Sequence, residues 1–194
     1  MTAASPELAA RLQELLPSGV TKAAFGQSWV QVEPAEWHTA AALARDELGC
    51  LMFDWLGAED AGRPGDLGRR HTVLLHVVNP LQQRGLSVRT ELGPEDELPS
   101  IAGVWAGAAW HEREAAEMFG LALAGQPEPA RLLLPDSFVG HPLRKDFVLA
   151  ARVVRPWPGG LEPGESSSAP SRRRLAPPGV PDPSWGPRRE EDPR

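Results

Sequence analysis

A change of composition near residue 151 limits what this chain can fold into. From residue 152 to residue 194 the sequence is dominated by Pro, Gly, Ser and Arg and has few aliphatic side chains. Such a segment buries too little apolar surface to offset the conformational entropy that it loses on ordering. We therefore expect one folded domain over residues 1–150 and a tail over residues 151–194 that is disordered alone or extended along a partner.

The charges of the two parts limit the possible partners. Up to Ala151 there are 12 Lys and Arg against 20 Asp and Glu, a net charge of −8, whereas the remainder has 8 Arg against 6 acidic residues, a net charge of +2. An acidic body argues against nucleic acid as the main partner, because phosphate binding needs a basic face. No apolar run has the length of a membrane span, and the N-terminus is too charged for a signal peptide. We expect a soluble chain that stays in the cytoplasm.

The sequence lacks complete motifs for a cofactor or a metal ion. Cys50 is the only cysteine, so the chain alone cannot hold an iron–sulfur cluster, and its apolar neighbours predict a buried thiol. His111 begins like the first half of a zinc-protease HExxH helix, but Ala115 stands where the second histidine belongs. Gly57 and Gly62 have the spacing of a phosphate loop without its Lys and Ser or Thr, and no GxGxxG follows a predicted strand. We expect no catalytic residue, no bound cofactor and no metal in this chain.

Apolar periodicity predicts the order of the secondary-structure elements. Ser5-Pro6-Glu7 opens a short helix, QSWVQVE alternates as a strand does, and Glu33-Pro34 starts a second helix. Three further strands follow, and a helical segment begins at about Pro99 with irregular chain after it. The three strands are CLMFDWLG, RRHTVLLHVVN and GLSVRTELG. This order favours an α+β fold of two layers, with the helices on one mixed sheet.

The run AAWHEREAAEMFG, residues 108–120, combines aromatic and charged side chains on one predicted helix. At 100° per residue, Ala109, Ala115 and Phe119 fall on one face and Glu112 lies in the middle of that face. An unpaired buried carboxylate is costly, so Glu112 requires an arginine, several backbone amides or a partner surface.

Two arginines are candidates for pairing with the carboxylates of this helix. Arg113 lies one turn before Glu117, close enough for an i, i+4 ion pair. The run GHPLRKDF, residues 140–147, contains Arg144, whose guanidinium can offer a fork of donors to a buried glutamate. The simpler alternative is an amphipathic helix whose charges are all solvated.

Together the runs WHEREAAEMFGL and GHPLRKDF resemble the C subunit of the proton-pumping NADH-quinone oxidoreductase, respiratory complex I. The resemblance extends from about residue 20 to residue 150. In that family the first run ends the helix that packs on the sheet, and the second begins an extended C-terminal arm that docks on the D subunit. The resemblance assigns the family signature and the intersubunit interface to Trp110, Glu112, Arg113, Glu114, Glu117, Phe119, Gly120, Gly140, His141, Pro142, Leu143, Arg144, Lys145 and Asp146.

The resemblance implies a non-catalytic scaffold subunit of the peripheral arm, on the cytoplasmic side of the cell membrane and with no span of its own. Its partners are then the D and B subunits, and NAD, flavin, iron–sulfur clusters and quinone are bound by partner subunits. We expect Arg113 to be paired within the chain and Arg144 to reach the D subunit. The resemblance also allows the equivalent subunit of a membrane-bound hydrogenase or of a deazaflavin-dependent dehydrogenase complex.

The sequence departs from the family between the two runs. The family usually has a GHPxLRR-like run there, whereas this chain reads GQPEPARL. Gln126 replaces the histidine and Ala130 replaces the first arginine, while Arg131 is retained. This difference bears on the contact with the D subunit.

Two other classes of function stay open at this point. An independent enzyme could use His111, Glu112 or Glu114 as acid–base groups, but it needs two titratable groups whose environments separate their pKa values. A free-standing binding module could use the tail, although LAPPGVP lacks a strict PxxP with a basic anchor beside it.

Overall fold

A five-stranded mixed sheet organises the domain. The computed structural model describes residues 4–62 and 70–147. The strands of the sheet lie in the order β1-β2-β5-β4-β3; β2 and β5 are parallel, and all other neighbours are antiparallel. Their bounds are β1 (Val20–Ala24), β2 (Gln27–Val32), β3 (Met52–Asp60), β4 (His71–Asn79) and β5 (Arg84–Leu92).

Three helices cover one face of this sheet. They are α1 (Pro6–Leu15), α2 (Trp37–Asp46) and α3 (Ala108–Phe119), and a 3-10 turn at Pro34–Glu36 precedes α2. Helix α1 packs on β2 and β5, α2 packs on β5, and α3 packs on β3. The core lies between the layers, where alternate strand residues such as Val30, Val88 and Leu75 meet Leu12 of α1 and Ala115 of α3. The predicted α+β fold of two layers is therefore confirmed.

The sequence pattern missed strand β1. It pairs with β2 through a two-residue turn in which Phe25 has φ of 53° and Gly26 has φ of 75°. Positive φ at both central residues defines the turn whose twist suits a hairpin. The first central position of such a turn is usually Asn or Asp, whereas here it is Phe25, a residue that rarely adopts positive φ. The sequence therefore carried no turn signal at this point.

The helical segment expected from about Pro99 begins later than predicted. Residues Glu97–Pro99 form a short strand, β6, which pairs in parallel with β7 (Ala122–Ala124) as a separate two-stranded sheet. The chain then turns through Ile101 and Trp105 before α3 starts at Ala108. The tail predicted over residues 151–194, and with it most of the predicted arm, lies outside the described residues.

Candidate functional site

Helix α3 ends at Gly120, where the backbone has φ of +73°. The Gly120 N–H donates to the Ala116 carbonyl at 2.8 Å and closes the last turn. A Cβ at this position would collide with the Arg144 guanidinium and would lie 2.6 Å from Nε2 of His141. Glycine is therefore required here for its left-handed backbone and for the space that it leaves.

The cap segment, residues 140–147, satisfies the carbonyl groups at the end of α3. A helix leaves its last carbonyls without partners inside the helix, and those of α3 are met by a run more than 20 residues further along the chain. The four pairs are Nδ1 of His141 to the Glu117 oxygen at 2.8 Å, the Leu143 N–H to the Met118 oxygen at 3.1 Å, Nε of Arg144 to the Phe119 oxygen, and Nη2 of Arg144 to the Gly120 oxygen at 3.3 Å.

The position of Arg144 differs from the pairing with Glu112 that the sequence suggested as one possibility. Its guanidinium lies at the negative end of the α3 dipole, where a cation is favoured electrostatically as well as by hydrogen bonds. It is thus held against carbonyl groups of its own chain and does not donate to Glu112. A further contact of Arg144 with the D subunit stays a prediction.

The cap segment is also fastened to the end of the sheet. The Lys145 N–H donates to Oδ2 of Asp60 at 2.9 Å, and its Nζ donates to the Gly62 carbonyl at 2.9 Å. Burial alone raises the pKa of Asp60, but the N–H groups of Lys145 and Gly62 and the nearby charge of His71 outweigh it and hold the pKa below its usual range. The segment therefore joins the end of α3 to the end of β3.

Arg113 and Glu117 hold one loop by its backbone. Nε and Nη2 of Arg113 donate to the carbonyls of residues 130 and 131, each at 2.8 Å, and the guanidinium lies 3.7 Å from Glu128. Glu117 accepts the N–H groups of residues 132, 133 and 134 at 3.3, 2.8 and 2.9 Å. Arg113 thus donates to backbone carbonyls and Glu117 accepts from backbone amides. The i, i+4 ion pair between these two residues, which their spacing allows, is not formed.

Hydrogen bonds from the loop backbone lower the pKa of Glu117. Burial alone raises the pKa of Glu117, but the three backbone N–H groups and the charge of Arg131 outweigh it and hold the pKa below its ordinary value. The loop is therefore bound to a carboxylate that stays ionised near neutral pH.

Glu112 is 1% exposed and is held by uncharged donors. Ser100 Oγ donates to its Oε2 at 2.7 Å, the Ile101 N–H donates to its Oε1 at 2.6 Å, and Nε2 of Gln126 donates to its Oε2 at 2.8 Å. Burial raises the pKa of Glu112, and the bonds from Ser100 and Ile101 oppose that shift without cancelling it. The carboxylate is buried, as the helical periodicity predicts. Of the possibilities that the sequence left open, a backbone amide and two uncharged side chains supply its observed donors in place of an arginine.

Gln126, where the sequence departs from the family, lies at the centre of this network. Its Nε2 also donates to the Ala109 carbonyl at 3.2 Å, and its Oε1 accepts the Glu128 N–H at 3.2 Å. The side chain thus joins the first turn of α3 to the loop after β7. No pattern in the sequence indicated Ser100 or Ile101 as partners of Glu112, because both lie in an irregular turn whose path depends on tertiary packing.

Of the remaining signature residues, some are buried beside α3 and others are exposed to solvent. Phe119 is buried, and its ring packs edge-on to His71 with ring centroids 6.1 Å apart. Trp110 is 62% and Leu143 is 53% exposed, and Glu114 and Asp146 are also exposed. Gly140 turns the chain into the cap segment with φ of 105°, and Pro142 follows, half-buried.

The arrangement favours structural over catalytic chemistry. A depression of about 290 Å³ lies between α3 and the loop, but Arg113, Glu117, Arg131 and His141, which line it, are already bonded to backbone groups. Within residues 4–62 and 70–147, no three His, Cys, Asp or Glu side chains form a group that could hold a metal ion. Cys50 is buried, as predicted, and burial raises the pKa of its thiol to about 11. In the same residues, no helix has the length and apolarity needed to cross a bilayer.

Comparison with known proteins identifies the protein family to which this chain belongs. A family model described as "Respiratory-chain NADH dehydrogenase, 30 Kd subunit" matches residues 30–153, which include both signature runs. The chain belongs to this family, which contains the C subunits of the NADH-quinone oxidoreductases.

Individual relatives support the assignment. The chain is 36% identical over 152 residues to the C subunit of the NADH-quinone oxidoreductase of Azorhizobium caulinodans, covering 76% of this chain and 70% of the relative. It is 35% identical over 158 residues to that of Mesorhizobium japonicum, with 79% and 77% covered. A solved structure titled as the membrane-bound sulfane sulfur reductase, an archaeal respiratory membrane complex, is similar with a TM-score of 0.53 over 67% of this chain and 76% of that one. At 15% identity, that likeness shows the fold alone.

Proposed function

We propose that this chain is a scaffold subunit in the peripheral arm of a proton-translocating NADH-quinone oxidoreductase and takes no chemical part in turnover. In this role it braces the neighbouring D and B subunits on the cytoplasmic side of the membrane. Partner subunits bind NAD, flavin, iron–sulfur clusters and quinone. The contribution of this chain to the rate is then the geometry in which it holds its neighbours.

One observation carries this proposal beyond family membership. The polar side chains of the two signature runs are used mainly to bind backbone groups: Arg113, Glu117, His141 and Arg144 hold the end of α3, the loop and the cap segment together. Groups that act on a substrate converge on a space that the substrate can enter. These groups instead fix the position of residues 140–147, directly before the arm that the family resemblance predicts, as a scaffold protein with a docking arm requires.

The test is deletion and complementation in the native organism. Deleting the gene should abolish both NADH–quinone activity and the assembled complex, and the full chain with an affinity tag should restore both. Mass spectrometry of the tagged complex should identify the B and D subunits. Cys50→Ala and His111→Ala should restore activity to within about twofold of the wild type, because neither takes part in chemistry on this proposal.

Three results would count against the proposal. The first is flavin or iron–sulfur absorbance in the isolated chain. The second is a complex that assembles without this chain and lacks activity only. The third is a tagged complex that contains hydrogenase or deazaflavin-oxidising subunits in place of the NADH-oxidising module, which would establish the alternative assembly.

A further inference from the structure

The face of the main sheet opposite the helices has aromatic side chains on three of its strands, β2, β3 and β4. Trp55 of β3 lies opposite His76 of β4, and His76 lies opposite Ser87 of β5. Trp29 of β2 precedes Val30, which pairs with Val88, so Trp29 lies beside Ser87. We call the surface formed by Trp29, Trp55, Leu74, His76, Ser87 and Arg89 the open face. All three helices of the described chain pack on the other side of the sheet.

The open face contains a depression of about 310 Å³ between its two tryptophans. On one side the Trp55 ring is stacked on His76, with centroids 6.2 Å apart and planes inclined by 16°, and Nδ1 of His76 lies 2.9 Å from Oδ2 of Asp54. On the other side the Arg89 guanidinium lies 4.0 Å from the centre of the Trp29 ring. Stacking of this kind holds the rings in place. The result is a shallow, ordered slot of the size of an aliphatic or aromatic side chain.

Two cations lie at the Trp29 end of the slot, although the chain as a whole carries −6. Lys22 of β1 pairs with Trp29, and Arg89 covers the ring of the same tryptophan, so two cations flank Trp29. Asp54, at the other end of the slot, is bound to His76, and Glu91, two residues along β5 from Arg89, lies 4.0 Å from Arg70. The charges of Lys22 and Arg89 make the Trp29 end of the slot complementary to a ligand that brings carboxylate oxygens.

We propose that the open face docks a segment of a neighbouring polypeptide that combines apolar side chains with at least one carboxylate. An apolar side chain of the segment occupies the slot between Trp29 and Trp55, and the carboxylate pairs with Arg89 and Lys22. The inference deepens the scaffold role proposed above and rests on it. It adds a second contact surface, on the other side of the sheet from α3.

Other occupants fit the charge pattern less well. A membrane surface rich in anionic lipid requires a cluster of roughly 4 to 8 basic residues, and this surface offers Lys22 and Arg89. A second copy of the chain brings another −6 of net charge, so the two copies repel each other overall. A protein segment needs only one or two carboxylates beside an apolar anchor, which matches what the open face presents.

The experiment uses the full chain in its native complex. A photo-crosslinking amino acid replaces Gln27, which is exposed at the edge of the slot, and adducts are mapped by mass spectrometry. We expect an adduct to a peptide of another subunit that contains Asp or Glu. Arg89→Glu should lower the adduct yield by about tenfold or more, Lys22→Glu should lower it less, and Arg89→Lys should retain most of it. Reversing the charge of the mapped carboxylate, to Lys, should restore the adduct in the Arg89→Glu chain.

Two controls separate docking from folding. Arg11→Glu reverses a charge on α1 in the helical layer, at a side chain that is 64% exposed, and should leave the yield unchanged. The isolated Arg89 and Lys22 variants should melt within a few degrees of the wild type; Lys22 is an exposed edge-strand residue, so Lys22→Glu serves if Arg89→Glu fails to fold.

The possible failures of the experiment are distinguishable. A chain that copurifies with its complex but gives no adduct from Gln27, or gives adducts only to lipid, to a second copy of itself or to a peptide without Asp or Glu, overturns the docking inference and leaves the scaffold role intact. If the adduct yield is the same in the Arg89→Glu and Lys22→Glu variants as in the wild type, the two cations play no part in docking and the inference is wrong. A chain found outside any complex overturns both proposals.

Discussion

At the scale of single residues, Glu112 and Glu117 show how one helix places two carboxylates in opposite environments. Burial raises the pKa of Glu112, whereas three backbone N–H groups and the charge of Arg131 hold the pKa of Glu117 below its ordinary value despite burial. Both side chains are glutamates, so the opposite directions of their pKa shifts come from the groups that surround them. The helical periodicity predicts that Glu112 faces the core, but it cannot identify Ser100 or Gln126 as its donors. Those partners come from irregular segments that tertiary packing brings together.

The first prediction concerns Glu112. Glu112→Ala leaves the donors of Ser100, Ile101 and Gln126 without an acceptor, and we expect the free energy of unfolding to fall by roughly 3 kcal/mol. Glu112→Gln keeps one acceptor oxygen and should cost about half as much. Urea denaturation of the isolated variants measures both, with Glu114→Ala on the exposed side of the same helix as the control. If all three variants unfold at the same urea concentration, the network does not stabilise the domain.

The second prediction concerns the pH dependence of Glu117. Its pKa is lower in the folded chain than in the unfolded chain, so the stability that it contributes is complete above the unfolded-state value of about 4.3 and is lost as pH falls through the folded-state value. Glu117→Gln should therefore be less stable than the wild type near neutral pH, and the difference should narrow as the pH falls below about 4. Unfolding free energies measured from pH 7 to pH 3 test this. A difference that stays constant with pH would show that the charge of Glu117 contributes nothing.

At the scale of secondary-structure elements, α3 is the best example of what the sequence could and could not predict. The apolar stripe predicted a helix over this run, and α3 is observed over Ala108–Phe119, with Gly120 as its cap. The identity of the groups that satisfy its last carbonyls was not predictable, because His141 and Arg144 are more than 20 residues away in sequence. Strand β1 was missed because Phe25 occupies a position where a turn residue is usual, and β6 and β7 were missed because three residues show no period.

The third prediction separates the two reasons for a glycine at position 120. Gly125 also has positive φ, at 74°, but a Cβ there would meet nothing within 4 Å, so Gly125→Ala should cost only the backbone strain, about 1 to 2 kcal/mol. Gly120→Ala should cost clearly more, because it also displaces His141 and Arg144. Gly103→Ala, at an open position with ordinary φ, should be neutral. Melting temperatures rank the three; equal losses at positions 120 and 125 would disprove the crowding argument.

The fourth prediction concerns the cap itself. Arg144→Ala removes the donors to the Phe119 and Gly120 carbonyls and a cation from the end of α3, so we expect the isolated domain to lose about 1 to 3 kcal/mol. Arg144→Lys keeps the charge but loses the fork of donors and should fall between Arg144→Ala and the wild type. Hydrogen exchange should be faster in the last turn of α3 in the alanine variant. Unchanged stability and exchange, together with failed assembly, would assign Arg144 to a partner contact alone.

At the scale of the whole molecule, the class of protein was easier to predict than its surfaces. The two signature runs led to the family, and the comparisons confirm it. The open face was not predicted, because no single strand shows it: Trp29, Trp55 and Arg89 meet only when β2, β5, β4 and β3 pair in one register. The periodicity of a single strand does not indicate which side chains of the neighbouring strands lie beside it.

The fifth prediction concerns the isolated full chain. Because its polar signature groups bind backbone, we expect the purified protein to be colourless and to oxidise NADH no faster than a buffer control with a quinone acceptor. Absorbance spectra after anaerobic purification, with and without added flavin, test this directly. The matched control is the complete complex, reconstituted with the same preparation, which should regain activity if the chain is correctly folded.

The distance along the chain between α3 and its cap also determines when the domain can become complete during translation. His141 follows the carbonyl that it binds by 24 residues, so the ribosome must add the whole intervening loop before the end of the helix can be closed. At about 5 to 20 residues per second, that interval is on the order of 1 to 5 seconds. Until then the last carbonyls of α3 can be satisfied only by water. A chain that stops before His141 lacks the donors of the cap segment, so its α3 should fray at the C-terminal end.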